Sequence, residues 1–437
     1  MNKRFTRALA ASSVAFALAA GLAACSGGGS DGGSGGGKVT LTFWDHSGNP
    51  TRAEKYRELV KDFEATHKNI EVDFLELPSD SAFEKIQTSI AANQAPDLAA
   101  LSGAEVAPLS AQNALLDIDD QFNASPLKDE LDAALVDGTR QDARDGKLYA
   151  LPYTLTYGIL WYRTDLWKGA GMADGPATWD TFYEGTKDLS KDGQYGFAMR
   201  GGAGGPYQFL QAIYAQSGVK QLFDDKGVST LDDPANVEAL KRYAALYKTA
   251  TSDADLGYGF PEMVAAFDGG TVATMQHNLG SYAEHKKALD GKFAGLPLPA
   301  AADGTHNVIT DPVPAFSIFK QSKHPEESWE FLQYLMGADA NGALNETIGQ
   351  IPANTESRKA EWLGKSQSVS TARKWIEGDD VNLISPPTYL PDFATILTNT
   401  MEPDVQNLLL GKLSAEDCLK HWAEVMTAAQ QKYMGDK

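Results

Sequence analysis

VTLTFW, residues 39–44, has the β-branched and aromatic character of a strand. Residues 51–67, TRAEKYRELVKDFEATH, repeat apolar side chains at helical spacing, and IEVDFL at 70–75 alternates as a second strand. A helix over 81–92 and a third strand over 96–101, PDLAAL, complete a βαβαβ order. Short connections of this kind imply a parallel, doubly wound sheet. Ligands of such sheets bind beyond the carboxyl ends of the strands, so a site is expected there.

The length and charge of the chain limit what it can be. Its 437 residues are too many for one hydrophobic core and predict two domains. The 58 acidic residues outnumber the 38 basic ones, and removal of residues 1–24, which hold three of the basic residues, changes the net charge from −20 to −23. This acidity argues against binding of nucleic acid or anionic lipid through a basic surface.

The first 24 residues predict a secretory signal peptide, because basic residues precede an uncharged, Ala-rich run over 8–24. LAAC, ending at Cys25, resembles the lipobox of bacterial lipoproteins, in which the cysteine becomes the first residue and carries a diacylglycerol. Residues 26–37 are Gly, Ser and one Asp, and we interpret 25–37 as a lipidated cysteine with a flexible tether. The alternative is an ordinary signal peptide that contains a cysteine. With Cys25 acylated, Cys418 has no disulfide partner.

Seven segments, in order from residue 38 to the C-terminus, resemble the extracellular solute-binding proteins of family 1. This group comprises sugar-binding lipoproteins of ABC transporters and includes maltose-binding protein. The order and spacing of the segments carry the resemblance. They are LTFW (41–44), APDL (95–98), DGKLYALPY (145–153), WYRTDL (161–166), MVAAFDGG (263–270), SKHPEESWEFL (322–332) and IPAN (351–354).

The resemblance implies a periplasmic-binding-protein type II-like α/β fold, with two α/β lobes joined by crossing strands and a ligand cleft between them. It assigns residues 38–153 plus 312–355 to the N-terminal lobe and residues 154–311 plus 356–437 to the C-terminal lobe. Hinge closure is then expected to trap the ligand. The crossings are expected near residues 152–160, 309–316 and 352–360.

For function, the resemblance implies capture of a carbohydrate, with an oligosaccharide as the expected class, and its delivery to the membrane subunits of an ABC permease. The receptor is expected to be a monomer held by its lipid on the outer face of the cell membrane, without nucleic acid, cofactor or metal. The lipobox, the Ala-rich leader and the tether favour a Gram-positive source. The net acidity and the lack of clustered Arg in the cleft segments argue against a phosphorylated ligand.

A sugar presents C–H faces and many hydroxyl groups, so its site needs flat aromatic rings and planar polar groups. The resemblance carries such residues onto the loops that face the cleft. Alternatives are a place in the core for Trp44, the start of a turn for Asp45, and packing inside the hinge for Tyr157. Thr156 departs from maltose-binding protein, which has a sugar-binding carboxylate there. The predicted ligand-binding residues are Trp44, Asp45, His46, Ser102, Tyr153, Thr156, Tyr157, Tyr207, His277, Asn278, Tyr282, Asp311 and Gln350.

A glycine-rich run, GGAGGP at 201–206, precedes Tyr207. It fits neither the GxGxxG pattern nor the P-loop pattern, since no GK[ST] follows. We therefore interpret it as a flexible cleft loop that presents the tyrosine ring.

The rival class is a lipid-anchored glycoside hydrolase, which needs two carboxylates about 5–10 Å apart across a sugar subsite. Few acids fall on the proposed cleft loops, namely Asp45, Asp80, Glu105 and Asp311. The sequence has no HExxH, no GxSxG and no spaced Cys/His set. A structural cell-surface protein would be favoured by internal repeats, and none is visible. The prediction is therefore a binding protein and not an enzyme.

Overall fold

The computed structural model describes residues 37–376 and 380–435. From Lys38 onward the chain forms one compact unit. The predicted signal peptide, and the tether from Cys25 to residue 36, lie outside the described residues. None of the described helices is both long and apolar enough to cross a membrane.

Short strands alternate with helices along the chain. The strands are β1 (Val39–Asp45), β2 (Ile70–Glu76), β3 (Leu98–Leu101), β4 (Leu151–Pro152), β5 (Thr154–Leu155), β6 (Gly158–Arg163), β7 (Thr274–Asn278), β8 (Phe293–Pro297), β9 (His306–Ile309), β10 (Ala315–Ile318), β11 (Ile351–Pro352) and β12 (Val381–Ile384). They form a five-stranded sheet ordered β2-β1-β3-β10-β4, a three-stranded sheet ordered β7-β6-β8, and the pairs β11-β5 and β12-β9.

Some helices start at side-chain caps, and Asn49, Asp132 and Asp233 each accept a backbone N–H of the first turn. A π-helical turn at Leu397–Met401 joins α17 to α18. The helices are α1 (Pro50–Thr66), α2 (Ala82–Ala91), α3 (Gly103–Ala111), α4 (Asp119–Ala124), α5 (Leu127–Glu130), α6 (Ala133–Gln141), α7 (Thr164–Gly169), α8 (Trp179–Asp188), α9 (Gly205–Ser217), α10 (Pro234–Ala244), α11 (Phe260–Asp268), α12 (Tyr282–Leu289), α13 (Pro325–Met336), α14 (Ala338–Ile348), α15 (Trp362–Lys365), α16 (Gln367–Ile376), α17 (Phe393–Ile396), α18 (Glu402–Leu409) and α19 (Ala415–Gly435).

The five-stranded sheet has the predicted βαβαβ order at its centre. β1 pairs in parallel with β2 and with β3, and β10 inserts antiparallel between β3 and β4. Leu41 and Phe43 of β1 are fully buried on one face, where Phe43 meets Tyr56 of α1, because alternate residues of a strand share a face. Separate apolar clusters cover the two faces of the sheet. The carboxyl ends of β1, β2 and β3 therefore open along one edge.

The three-stranded sheet is antiparallel throughout, with β6 in the middle. Trp161 of β6 is fully buried, and its indole Nε1 donates to the carbonyl oxygen of Asn278 at 3.1 Å. The C-terminal helix α19 packs Cys418 and Trp422 into a neighbouring apolar cluster, where both are fully buried. Each sheet thus has its own core, and the chain has two α/β lobes.

Crossing strands join the two lobes. The chain leaves the five-stranded sheet after β4 and enters the three-stranded sheet at β6, and it returns between β9 and β10. Between the lobes, β5 and β11 pair antiparallel. Asn341 and Asn345 of α14 both donate a side-chain N–H to the carbonyl oxygen of Tyr153, at 2.9 and 3.0 Å. These hydrogen bonds hold the first crossing at the point where the cleft begins.

Candidate ligand-binding cleft

A cavity of about 380 Å³ lies where the crossings meet the carboxyl ends of β1, β2 and β3. Loops of both lobes and the crossing segments all contribute side chains to its wall. Its position is the one expected for a ligand of a doubly wound sheet. Its size falls within the ~300–1,000 Å³ typical of small-molecule sites.

The loop after β1 supplies a polar part of the wall. His46 lines the cavity, and its Nδ1 lies 3.0 Å from the carbonyl oxygen of Ala100. Burial is the main reason that the pKa of His46 lies below its ordinary value, so the ring is neutral at pH 7. Asp45 is fully buried beneath the wall and accepts the backbone N–H of Ser47 at 3.3 Å. Asp45 therefore shapes the loop and does not line the cavity, which corrects its prediction as a ligand-binding residue.

Trp44 also lies outside the cavity, and its prediction as a ligand-binding residue is corrected. Alternation along β1 turns its side chain to the face opposite Phe43. There the ring lies in a separate surface pocket beside α2, with the Nζ of Lys85 5.4 Å from the ring centre. The aromatic side chain on this side of the cavity is Phe83, from the first turn of α2.

Helix α3 begins at the carboxyl end of β3 with a capping box. Ser102 lines the cavity as the N-cap residue, and Oε2 of Glu105 accepts the Ser102 backbone N–H at 3.0 Å. Burial raises the pKa of Glu105 to about 8, because withdrawing the carboxylate from water outweighs this one hydrogen bond. Glu105 also lines the cavity, and at pH 7 it is mostly protonated and able to donate as well as accept.

Helix α1 contributes an arginine that sequence reasoning did not single out. Asn49 caps the helix by accepting the backbone N–H of Arg52 at 2.9 Å, and the Arg52 side chain reaches the cavity wall. Its Nη1 donates to the hydroxyl of Tyr153 at 3.0 Å, whereas its Nε has no partner within the described part of the chain. Tyr153 is fully buried and stacks on Phe316 with ring centres 4.5 Å apart. Tyr153 thus supports Arg52 from behind, which corrects its prediction as a lining residue.

The end of β7 faces the cavity from the C-terminal lobe, and His277 and Asn278 both line it. Nδ1 of His277 lies 3.2 Å from Oγ of Ser281, and the ring packs against Phe260 with centres 4.9 Å apart. Burial, followed by the charge of Arg200, holds the pKa of His277 well below its ordinary value. The imidazole is therefore a neutral hydrogen-bonding group.

Of the three tyrosines predicted on the C-terminal side of the cleft, Tyr207 lines the cavity and donates its hydroxyl to a backbone carbonyl of the second crossing. Tyr157 is 5% exposed and belongs to an apolar cluster, as the alternative of packing in the hinge proposed. Tyr282 packs against Trp161 with ring centres 6.4 Å apart. The wall position beside Tyr157 is taken by Thr156, because adjacent side chains of an extended chain point in opposite directions. Neither Tyr157 nor Tyr282 lines this cavity, and both pack with one apolar cluster.

The glycine-rich run at 201–206 is closely packed, which corrects its interpretation as a flexible loop. An ideal Cβ at Gly205 would lie 2.1 Å from the carbonyl oxygen of Arg200. Gly204 has φ +78°, the left-handed region that favours glycine, and a Cβ there would lie 2.5 Å from Nη2 of Arg200. The run therefore brings backbone against backbone and sets the guanidinium of Arg200 in the cavity wall.

The crossing segments bring further polar groups to the wall. Oδ1 of Asp311 accepts a side-chain N–H of Gln211 at 3.1 Å, whereas its Oδ2 has no hydrogen-bond partner among residues 37–376 and 380–435. Oγ1 of Thr156 and Oε1 of Gln350 are buried and unpaired in the same way. Burial raises the pKa of Asp311 to about 7. An unpaired buried polar atom costs ~1–3 kcal/mol, so these positions suit a ligand with several hydrogen-bonding groups.

Several lining residues were not among the predicted ones. Arg52, Phe83 and Phe260 each lie in the first turn of a helix, and helices that follow parallel strands begin at the ligand edge, which is a usable signal for the first two. Arg200 and Glu402 carry no such signal, because packing between distant segments brings them to the wall. Two arginines in the wall also weaken the argument against a phosphorylated ligand, which rested on a lack of arginine in the cleft segments.

Comparison with known proteins agrees with this geometry. Residues 47–342 match the bacterial extracellular solute-binding protein family. A binding protein of Brucella abortus is 25% identical over 390 residues, which cover 86% of this chain and 90% of that protein. The diacetylchitobiose-binding protein DasA of Streptomyces coelicolor is 25% identical over 351 residues, which cover 79% of this chain and 80% of that protein. The GacH receptor of Streptomyces glaucescens, solved unliganded and with acarbose, has a TM-score of 0.79 at 23% identity, covering 91% of this chain and 99% of that chain.

The family match spans well over half of the chain, and the proteins it describes bind solutes outside the cytoplasm. The alternative of a glycoside hydrolase is therefore not supported, and the protein is not an enzyme. The likeness to the solved structure agrees with the two-lobed α/β fold. With this fold and a polar cleft between its lobes, the chain belongs to the bacterial extracellular solute-binding protein family.

Proposed function

We propose that this protein captures a short oligosaccharide outside the cell membrane and delivers it to the permease of an ABC importer. The observation that carries the proposal is one cavity that combines aromatic rings with buried polar atoms that have no hydrogen-bond partner in the described part of the chain. Rings cover the C–H faces of a sugar, and hydroxyl groups satisfy both donors and acceptors. The rings are Phe83, Tyr207 and Phe260, and the unpaired atoms belong to Arg52, Thr156, Arg200, Asp311 and Gln350.

The relatives support a saccharide of a few units. DasA is named for diacetylchitobiose, and the GacH receptor was solved with acarbose. The cavity of about 380 Å³ lies near the lower end of the ~300–1,000 Å³ that ligand sites span. This size favours a short saccharide over a long chain.

We assign residues 38–153 plus 312–355 to the N-terminal lobe and residues 154–311 plus 356–437 to the C-terminal lobe. To capture the ligand, the two lobes then rotate about the crossing segments and close the cleft, as in hinge-closing receptors. The ligand contributes to closure by pairing with groups on both sides of the cleft.

A hydrogen bond spans the cleft and supports this closure. Nδ2 of Asn49 donates to the carbonyl oxygen of Gly280 at 3.4 Å. It joins the loop that follows β1 of the five-stranded sheet to the turn that follows β7 of the other lobe, so opening has to break it.

We further propose that Cys25 is acylated and that the Gly/Ser tether holds the receptor near its permease. A Gram-positive cell has no periplasm to retain a free receptor, which gives the anchor its purpose there. The Cys25→Ser variant should move from the membrane fraction to the medium, whereas the neighbouring Ser26→Ala variant should remain membrane-bound. Retention of the Cys25→Ser variant in the membrane would contradict the anchor.

The function is tested by calorimetric titration of the purified protein with mono- to pentasaccharides of several linkages, with hydrolysis followed in the same samples. We expect one linkage class to bind with a Kd at or below ~1 μM, about −8 kcal/mol, and no hydrolysis. The protein should sediment as a monomer with and without the sugar. Absence of binding across the whole panel would refute the proposal that the ligand is a carbohydrate.

A further inference from the structure

Arg200 is positioned by close backbone packing. Its Nε is buried and has no hydrogen-bond partner within the described ranges of the chain. An ideal Cβ at Gly204 would lie 2.6 Å from Cζ of Arg200 and 2.5 Å from its Nη2. An ideal Cβ at Gly205 would lie 2.1 Å from the Arg200 carbonyl oxygen. Both positions therefore accept only glycine as long as Arg200 keeps its place in the wall.

Carboxyl groups from both lobes act on this guanidinium. Burial lowers the pKa of Arg200 to about 10, and the attraction of Asp80, Glu402, Glu262 and Asp311, in that order, opposes the effect of burial. Arg200 is thus still charged at pH 7. Three of these acids, Asp80, Glu402 and Asp311, line the same cavity as Arg200. Among the described residues none of these acids forms a salt bridge with Arg200, so they act on the guanidinium through their charge alone.

The chemistry of these groups limits what fits between them. A guanidinium only donates hydrogen bonds and a carboxylate only accepts them. A hydroxyl does both, so it accepts from Arg200 while it donates to a neighbouring carboxylate. Two hydroxyls on adjacent ring carbons match the planar fork of the guanidinium. A ligand carboxylate or phosphate would instead share the cavity with the acids that line it and be repelled by their negative charge.

We propose that Arg200 is the specificity-determining residue of the cleft and that it selects a neutral sugar unit with two free, adjacent hydroxyl groups. Gly204 is then a positioning residue that acts through Arg200. This inference rests on the proposed function, which it narrows from an oligosaccharide to one that presents such a pair of hydroxyls. It also gives the glycine-rich run a role, since the run keeps open the space that the guanidinium occupies.

The test uses the sugar that binds wild-type protein in the titration above, together with its singly deoxygenated analogues. Wild type should bind the analogue that lacks a recognised hydroxyl about 10- to 100-fold more weakly, as expected for a hydrogen bond to a charged group. Arg200→Gln should lose a similar factor for the parent sugar and should no longer distinguish it from that analogue. Arg200→Lys should recover only part of the affinity, because an ammonium lacks the planar fork.

A matched pair of glycine variants tests the positioning role. Gly204 and Gly171 both adopt the left-handed conformation, with φ +78° and +83°, but an added Cβ at Gly171 meets nothing within 4 Å. Gly204→Ala and Gly171→Ala should therefore lose similar thermal stability from backbone strain. Only Gly204→Ala should weaken sugar binding, and in an Arg200→Gln background it should cause no further loss of affinity.

The outcomes separate this inference from the function on which it rests. Arg200→Gln that keeps wild-type affinity and discrimination overturns the inference and leaves sugar binding intact. Wild-type preference for a uronate or a sugar phosphate over the neutral sugar overturns it as well. Equal loss of affinity in Gly171→Ala and Gly204→Ala overturns the positioning role. Failure of wild type to bind any sugar overturns the proposed function, and the inference falls with it.

Discussion

Replacing Glu105 with glutamine removes a buried ionisable group and keeps its hydrogen bond. Oε2 of Glu105 accepts the backbone N–H of Ser102 at 3.0 Å, and the amide oxygen of glutamine can accept the same donor. Burial raises the pKa of Glu105 from 4.5 to about 8. The folded protein therefore binds this proton more tightly than the unfolded chain does. The contribution of the protonated Glu105 to the free energy of unfolding is fully present below pH 4.5 and is lost as pH rises to about 8.

The size of the effect follows from the two pKa values, which differ by about 3.5. Each pH unit between them changes the free energy of unfolding by ~1.4 kcal/mol. The stability advantage of Glu105→Gln over wild type is expected to grow from near zero in acid to ~3 kcal/mol at pH 7 and ~5 kcal/mol above pH 8. Glu105 is 8% exposed, so solvent screening reduces this difference little.

Urea denaturation of both proteins at pH values from about 5 to about 8.5 measures the advantage directly. Glu54→Gln, at an exposed position of α1, is the matched control for the loss of one glutamate charge. If the difference in free energy of unfolding between Glu105→Gln and wild type stays constant with pH, or shrinks as pH rises, the reasoning is refuted. The same pH trend in the control would also refute it.

Other changes test packing and the placement of aromatic rings. Gly158→Ala should lower the free energy of unfolding by ~1–3 kcal/mol in urea denaturation, because its Cβ would lie 2.6 Å from Oε1 of Gln211. Gly138→Ala, in α6 with nothing within 4 Å of the added Cβ, should instead raise it by ~0.5–1 kcal/mol, and the reverse order would contradict the packing. Phe83→Ala should weaken sugar binding by ~1 kcal/mol in calorimetry. Trp44→Ala should leave the affinity unchanged, and a loss there would contradict its place outside the cavity.

The sheet of the N-terminal lobe could be predicted because its signals are local. Alternation over 39–44, helical spacing over 51–67 and the short links between them determine a parallel βαβ unit, and this part of the prediction was confirmed. Side-chain direction was harder to predict. Tyr157 stands next to Thr156, which does line the cavity, and along extended chain a shift of one residue moves a side chain to the opposite face.

Composition alone could not distinguish two glycine-rich segments. The tether at 26–37 and the run at 201–206 look alike as sequence, and both were interpreted as flexible. The run is packed because Arg200 and distant backbone lie against it. The sequence of the run itself does not predict these contacts. The same limit applies to Glu402, which reaches the cavity from near the end of the chain.

The insertion of β10 between β3 and β4 has a kinetic consequence. Ala315–Ile318 is synthesised long after its two partner strands, and most of the second lobe lies between them in the sequence. The chain loses the entropy of closing so long a loop before the strand pairing can stabilise the sheet, and this slows folding. During synthesis, the first sheet therefore lacks an interior strand until three-quarters of the chain has been made.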